Sequence, residues 1–368
     1  MPPLELTGTQ YDRLSKALRA AFPTLASLTM MVRFKLDRNL AEITLGGSLN
    51  EVVFQLIQAG EAEGWTAELL AGAREANPGN PLLLEFAQEK GLSAGTPALE
   101  RTISQHSPFF DPVKFRTRLG EIEGQVCRVE LELDEGTIFG TGFLVGPGAV
   151  ITNYHVLEPV IQGQAPPSSV LLRFDFKRMA NEIVSAGTTF SLAGDWLIDA
   201  SPVSAADGAS AASGTVPAPD ELDYAIVRLE GTPGLEPVGT KASPNSPRRG
   251  WLTAPAKPYA FAAQTPLMVL QHPDAAPLKL ALEMNGVIAV NANRTRVKYT
   301  VNTEGGSSGS PCFSTEWDLV ALHHAGDPNF DRGHKPTYNQ GIPFAAIVAL
   351  LESRGKRGVL GDAAGGTS

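Results

Sequence analysis

Apolar and polar positions follow two different periods along this chain, and the period changes near residue 120. In residues 6–22 the apolar positions Tyr11, Leu14, Leu18, Ala21 and Phe22 recur three and four apart, which puts them on one face of a helix. Phe22-Pro23-Thr24 breaks that run, and a second short helix is predicted through Leu25, Leu28 and Met31. Leu40, Ile43 and Leu45 follow before a Gly46-Gly47 turn. Ser48-Leu49-Asn50-Glu51 has the form of a capping box, opening a helix that buries Val52, Val53, Leu56 and Ile57. Gly64 separates it from a helix carrying Trp65, Leu69 and Leu70. Asn77-Pro78-Gly79 ends that helix, and Asn80-Pro81 starts the last one, with Leu82, Leu83, Leu84 and Phe86. The pattern predicts a bundle of five or six short helices over residues 1–92.

Residues 93–117 carry Gly95, Pro97, Pro108 and Pro112 without a clear period and read as a linker, including the short basic run Lys114-Phe115-Arg116-Thr117-Arg118. From Gln125 the period is two: Cys127, Val129 and Leu131 alternate with Arg128, Glu130 and Glu132. Further strands are predicted at 139–145, 149–152, 171–176, 222–229, 267–270, 279–281, 286–290, 297–301 and 319–322, with a final helix through Ile342–Leu351. Residues 201–219, rich in Ala, Ser, Gly and Pro, read as a surface loop. The spacing suits two antiparallel barrels over residues 118–355 with a cleft between them, followed by a frayed tail over 356–368.

Composition narrows the functional classes. A chain of 368 residues, 43% hydrophobic and 19% charged, can build two cores. The net charge of −9 and the absence of a basic stripe argue against nucleic acid as a partner. Met1-Pro2-Pro3-Leu4-Glu5 lacks the features of a leader and no apolar run reaches the length of a membrane span, so a membrane is not an expected partner. Two cysteines, Cys127 and Cys312, are few for a secreted protein of this size, and a reducing cytoplasm is the expected compartment. No His/Cys cluster has zinc spacing, and Gly140-x-Gly142 is not followed by a helical pattern, so neither a metal nor a cofactor is expected.

Chemistry concentrates in Thr303-Glu304-Gly305-Gly306-Ser307-Ser308-Gly309-Ser310-Pro311. So many glycines and serines between apolar runs make a tight turn, able to present a hydroxyl together with free backbone N–H groups, as acyl transfer requires. Upstream, His155 follows the strand at 149–152, and Asp223 stands at the mouth of the strand at 222–229. A histidine, an aspartate and a serine in that chain order form one of the three known orders of a Ser-His-Asp triad. Ser307 and Ser310 are rival nucleophiles; Asp195, Asp199 and Asp220 are rival carboxylates; His106, His272 and His334 lack comparable context.

With these motifs, residues 120–352 resemble the trypsin-like, chymotrypsin-fold serine proteases, in particular the V8/glutamyl-endopeptidase-like branch. The resemblance implies Ser308 as nucleophile, His155 as general base and Asp223 as its orienting partner. The N–H groups of Gly306 and Ser308 would form the oxyanion hole. It places Asn302 where relatives that select basic residues carry an aspartate. It also makes Thr303 and His323 pocket residues for an acidic P1 side chain, unless His323 merely packs on its strand while His324 points elsewhere. Ser307 stands where digestive relatives hold an aspartate used in zymogen activation. The segments Leu6-Thr7-Gly8, Met31-Val32-Arg33-Phe34, Leu45-Gly46-Gly47-Ser48-Leu49-Asn50, Val53-Phe54 and Asn77-Pro78-Gly79-Asn80-Pro81 resemble the effector-associated, death-like domains of bacterial conflict systems. That implies homotypic binding to a similar domain on a partner such as a signalling ATPase or adaptor. The expectation is therefore multidomain: an all-α death-like bundle and an all-β double-barrel serine endopeptidase acting on protein in a defence or programmed-death pathway. The alternative is a catalytically silent scaffold that binds peptides.

Overall fold

Local capping residues set the frame of the first ninety positions. In the computed structural model, which describes residues 6–90, 109–208, 215–239, 246–328 and 335–361, α1 (Gly8–Ala21) starts at Thr7, whose hydroxyl accepts from Gln10 N while the Gln10 side chain returns a bond to Thr7 N. Helix α2 (Leu25–Leu36) starts at Thr24, and the four-residue α3 (Leu40–Ile43) starts at Asn39. Helix α4 (Leu49–Glu63) opens on the reciprocal Ser48–Glu51 pair and closes at Gly64, which is left-handed at φ 79°. Helices α5 (Thr66–Ala76) and α6 (Pro81–Glu89) are separated by Asn77 to Asn80, and Asn80 Oδ1 accepts from Leu82 N and Leu83 N. Each cap satisfies backbone donors that a helix start leaves open. The apolar stripes meet in one core that includes Leu14, Leu18, Val32, Val53, Ile57, Leu70 and Phe86. Leu45, although part of the apolar pattern, lies fully exposed.

The chain divides into two units, Met1–Ile103 and Ser104–Ser368. In the second, helix α7 (Pro112–Ile122) begins inside the segment read as linker. Asp111 caps it and Pro112 occupies its first turn, while Phe115, Leu119 and Ile122 form a stripe that the basic run hid; Phe115 packs on Trp317 with ring centroids 5.1 Å apart. The part of that linker from 93 to 108 lies outside the described residues.

Strands β1 (Val126–Leu133), β2 (Gly136–Gly146), β3 (Ala149–Thr152), β4 (Val170–Phe174), β5 (Thr188–Ser201) and β6 (Tyr224–Leu229) close into an antiparallel barrel in the order β1-β2-β3-β6-β5-β4. Closure comes from β1 pairing with β4, Val129 opposite Leu172. Strand β5 has no counterpart in the sequence pattern because two irregularities against β6, between Leu192 and Asp199, interrupt its alternation. The other strands, β7 (Leu267–Gln271), β8 (Lys279–Glu283), β9 (Val287–Val290), β10 (Val297–Tyr299), β11 (Pro311–Phe313), β12 (Leu319–Gly326) and β13 (Asn339–Pro343), form a sheet ordered β8-β7-β11-β12-β13-β10-β9. This is the second half of the double-barrel, trypsin-like architecture. Phe143, Ile151, Tyr224 and Ile226 from the barrel share one core with Met268, Phe313, Leu322 and Phe344, so the two halves are held by packing. The last helix, α9, runs from Phe344 to Ser353, and Ile342 belongs to β13 instead.

The tail expected to fray from 356 is anchored as far as it is described. Leu360 is buried in the shared core, Gly361 N donates to Val145 O, and Lys356 Nζ bonds Ile198 O and Asp199. A single buried leucine has no period to betray it. Cys127 and Cys312 are free thiols, buried so deeply that both are pushed above their ordinary pKa.

The start of β1 depends on a buried ion pair. Arg249 grips Asp175 with two bonds of 2.9 and 2.8 Å and donates to Gly124 O at 2.6 Å. Arg249→Met should leave Asp175 buried without its cation and cost about 3–5 kcal/mol in urea unfolding. Arg118→Ala, at an exposed pair with Glu121, should cost under about 1 kcal/mol.

Candidate active site

The barrel supplies a histidine and a buried carboxylate. Strand β3 ends at Thr152, Asn153 is the residue preceding helix α8 (Tyr154–Ile161), and His155 sits in its first turn. Asp223, just before β6, is fully buried and left-handed at φ 42°, a conformation that costs energy for a residue with a Cβ. Asn153 Nδ2 holds its carbonyl at 2.8 Å. The carboxylate then accepts twice from His155: Oδ1 from the backbone N–H at 3.0 Å and Oδ2 from ring Nδ1 at 2.7 Å. Both the position and the rotation of the imidazole are therefore set by one acid. Burial alone would raise the pKa of Asp223, but the hydrogen bonds from His155 and His324 hold it well below the usual carboxylate range. Burial likewise pulls His155 down, and here the bond to Asp223 and its negative charge win, so His155 titrates above its ordinary value.

The second half supplies the turn between β10 and β11. Gly306 and Gly309 are left-handed at φ 87° and 90°, and a Cβ on Gly309 would lie 2.0 Å from Thr141 O. Three carbonyls of the turn are engaged from outside it: Gly305 O by Asp274 N at 2.6 Å, Gly306 O by Thr141 Oγ1 at 2.8 Å and Ser308 O by Thr141 N at 2.7 Å. The N–H groups of Gly306 and Ser308 have no acceptor among the described residues, and neither does the Ser308 hydroxyl have a partner. The neighbouring hydroxyls are engaged. Ser307 Oγ accepts from Glu304 N at 3.2 Å, and Ser310 Oγ donates to Ser307 O at 2.6 Å; both serines are buried. Ser308 is thus the one serine of the turn with a free hydroxyl beside free N–H donors.

Around this turn, Asn302 is exposed, with its carbonyl held by Gln271 Nε2 at 2.9 Å, and Thr303 is half-buried. His323 is buried on β12, its Nδ1 2.6 Å from the Tyr299 hydroxyl. Burial, followed by the charges of His324 and His155, pushes its pKa down to about 3, so the ring is neutral. The Tyr299 hydroxyl also donates to Gln340 O at 3.3 Å, and His323 Nε2 has no hydrogen-bond partner among the described residues.

Several of the rival groups are engaged elsewhere. Asp195 pairs with Arg228, and Asp199 with Tyr224, Arg354 and Lys356. The backbone oxygen of Asp220 accepts from Ser201. His272 Nδ1 bonds Ala276 O at 2.9 Å, and burial drives this histidine down to about 4. His106 and His334 lie outside the described residues. Two site residues escaped the sequence reading. In the sequence Thr141 is only the middle of a Gly-x-Gly motif. His324, set aside as pointing elsewhere, bonds Asp223 Oδ2 through Nδ1 at 3.0 Å; strand alternation implies that it and His323 face apart, but not that Asp223 lies on its side. Among the described residues no group of His, Cys, Asp and Glu could hold a metal, and no helix is long and apolar enough to cross a membrane.

Comparison with known proteins finds a family match within each of the two units. The family described as effector-associated domain 1 matches residues 4–91, and the trypsin-like peptidase domain matches residues 140–322. An uncharacterized protein, y4fB, of Sinorhizobium fredii (strain NBRC 101917 / NGR234) is 28% identical over 212 residues, covering 55% of this chain and 28% of that protein. The chain thus spans less than a third of that relative's length. Similar solved structures include the active form of the Rv3671c protease from M. tuberculosis (14% identity, 69% of this chain and 92% of that one, TM-score 0.40). A scabies mite inactivated protease paralogue shows 15% identity over 64% and 98% of the two chains, TM-score 0.44. A serine endoprotease from Yersinia pestis shows 12% identity over 66% and 67%, TM-score 0.43.

The electrostatics of His155 can be checked directly. Asp223→Asn removes the charge that raises its pKa and keeps the burial that lowers it. NMR titration of the His155 ring should therefore move from above the ordinary value of about 6.5 in wild type to below it in the variant.

Proposed function

We propose that this chain, which joins an effector-associated domain 1 to a trypsin-like serine peptidase domain, is a serine endopeptidase using Ser308, His155 and Asp223. The observation that carries the reading is the contrast within the turn: Ser308 has a free hydroxyl and free N–H neighbours where Ser307 and Ser310 are bonded. In the reaction, Ser308 Oγ attacks the scissile carbonyl while His155 Nε2 takes its proton. The oxyanion is met by the N–H groups of Gly306 and Ser308, and the imidazolium is stabilised by Asp223. His155 then protonates the leaving amine as the C–N bond breaks. Water, deprotonated by the same ring, hydrolyses the acyl-enzyme and restores Ser308.

Preference for Glu or Asp at P1 is the finer part of the proposal. Asn302 offers no negative charge to an Arg or Lys, whereas the unpartnered His323 Nε2, when it carries the ring proton, and the Thr303 hydroxyl are donors suited to a carboxylate. The N-terminal domain is proposed to bind a similar domain on a partner, a signalling ATPase or adaptor, and so recruit the peptidase in a cytoplasmic defence or programmed-death response. Supporting this, Phe34 (73% exposed) and Phe54 (51%) belong to the segments that carry the domain's resemblance yet lie outside its core.

Four outcomes are expected. A fluorophosphonate probe labels wild type and not Ser308→Ala, whose kcat falls by at least about 10⁴-fold; biological effect retained in that variant would favour a peptide-binding scaffold. The base must be neutral to act, so kcat/KM rises with pH, with a midpoint above about 6.5 because the His155 pKa is raised. On a P1-diverse peptide library, cleavage follows Glu or Asp, and His323→Leu loses that preference; cleavage after other residues in wild type would discard the roles of Thr303 and His323. Deleting residues 1–92 should abolish partner-dependent activation, and a fragment as active as the partner-bound full chain would sink the recruitment idea.

A further inference from the structure

Asp223 is held from a second side by groups outside the triad. Its Oδ2 accepts from His155 Nδ1 at 2.7 Å and also from His324 Nδ1 at 3.0 Å. His324 is completely buried on β12, and its other nitrogen, Nε2, lies 3.0 Å from Gln340 Nε2 on β13. Two ring nitrogens each facing a polar atom admit several proton arrangements, and the next bonds along the chain select among them.

Gln340 Nε2 donates to Asp207 Oδ1 at 2.9 Å. Asp207 is itself clamped by Arg296, through Nε at 2.9 Å and Nη2 at 2.6 Å, and both side chains are buried. Were the Gln340 amide turned over, its oxygen would face a carboxylate already charged by its pairing with arginine, acceptor against acceptor. The amide nitrogen therefore points at both neighbours, giving one hydrogen to Asp207 and one to His324 Nε2. Nε2 must then be bare, and the only ring proton of His324 lies on Nδ1, aimed at Asp223.

We propose that His324 is a positioning residue for the catalytic aspartate, locked as the Nδ1–H tautomer by Gln340 and the Asp207–Arg296 pair. A neutral donor suits this place, because an imidazolium beside Asp223 would offset the negative charge that stabilises protonated His155. The same chain of bonds ties the loop before β6, which carries Asp207, to the orientation of the triad. Arg296 Nη2 also donates to Glu221 O, two residues before Asp223, so the loop is held at both its ends.

The proposal rests on the reading of Ser308, His155 and Asp223 as a working triad, and its test has one arm that does not need turnover. In full-length protein with ¹⁵N-labelled histidine, the His324 ring, assigned by its loss in His324→Asn, should show a protonated Nδ1 and a bare Nε2. An Nε2–H tautomer or an imidazolium at neutral pH would overturn the proposal whether or not the enzyme is active. In the second arm, His324→Leu should lower kcat by about 10- to 100-fold with KM unchanged, as expected for a small misplacement of the base. His324→Asn, whose Nδ2 occupies the place of the ring Nδ1, should stay close to wild type. Equal losses in both variants, a loss carried by KM, or full kcat in His324→Leu would each overturn it. Should the leucine variant fail to fold, the asparagine variant and the tautomer still decide. Absence of turnover in wild type would defeat the peptidase reading and leave the tautomer measurement to judge His324.

Discussion

A full negative charge buried where water cannot reach it is the constraint on which the second unit depends. Removing a carboxylate such as that of Asp223 from water costs several kcal/mol even after relaxation, and the fold offsets this with donors drawn from across the unit. The backbone and ring of His155 come from the start of α8, and the ring of His324 comes from the second sheet. Asp223 itself adopts a left-handed backbone, held there by Asn153. Strain and burial are tolerated because several donors over-determine the group, and the arrangement leaves His155 raised in basicity and fixed in direction.

The serine turn solves a complementary problem. Three of its carbonyls are taken up by Thr141 and Asp274, while the N–H groups of Gly306 and Ser308 have no acceptor among the described residues. Backbone donors are seldom left without partners, and here they flank a hydroxyl that is equally unpaired. Thr141 is central to this: one residue bonds the turn at Gly306 and Ser308, receives His272 N, and has its own carbonyl held by Thr152. It joins the strand before the histidine to the turn that bears the serine, across the two halves of the fold.

Much of this was legible from the residues. Caps such as Ser48–Glu51 and Asn80-Pro81 act within a few positions, so their helices could be drawn from local chemistry alone. The alternating run from Gln125 and the strand at 139–145 were readable for the same reason. Strand β5 was hidden by its irregular pairing, helix α7 by a basic run over an ordinary apolar stripe, and the anchoring of Leu360 by the lack of any period at all. His324 shows the limit most clearly, since adjacent histidines on a strand look alike until the neighbours of each face are known.

Sequence by itself determined most of the elements, their order, and the residue types from which acyl-transfer chemistry could be built, because helix periods, caps and glycine-rich turns are short-range properties. Only the tertiary structure decided which serine has a free hydroxyl, which carboxylate meets His155, and which histidine stands behind that carboxylate. Those choices depend on contacts between positions such as 155 and 223, or 207 and 340. Burial, which lowers the pKa of His323, and the hydrogen bonds that outweigh burial at His155 and Asp223 arise only when both halves of the fold close over them.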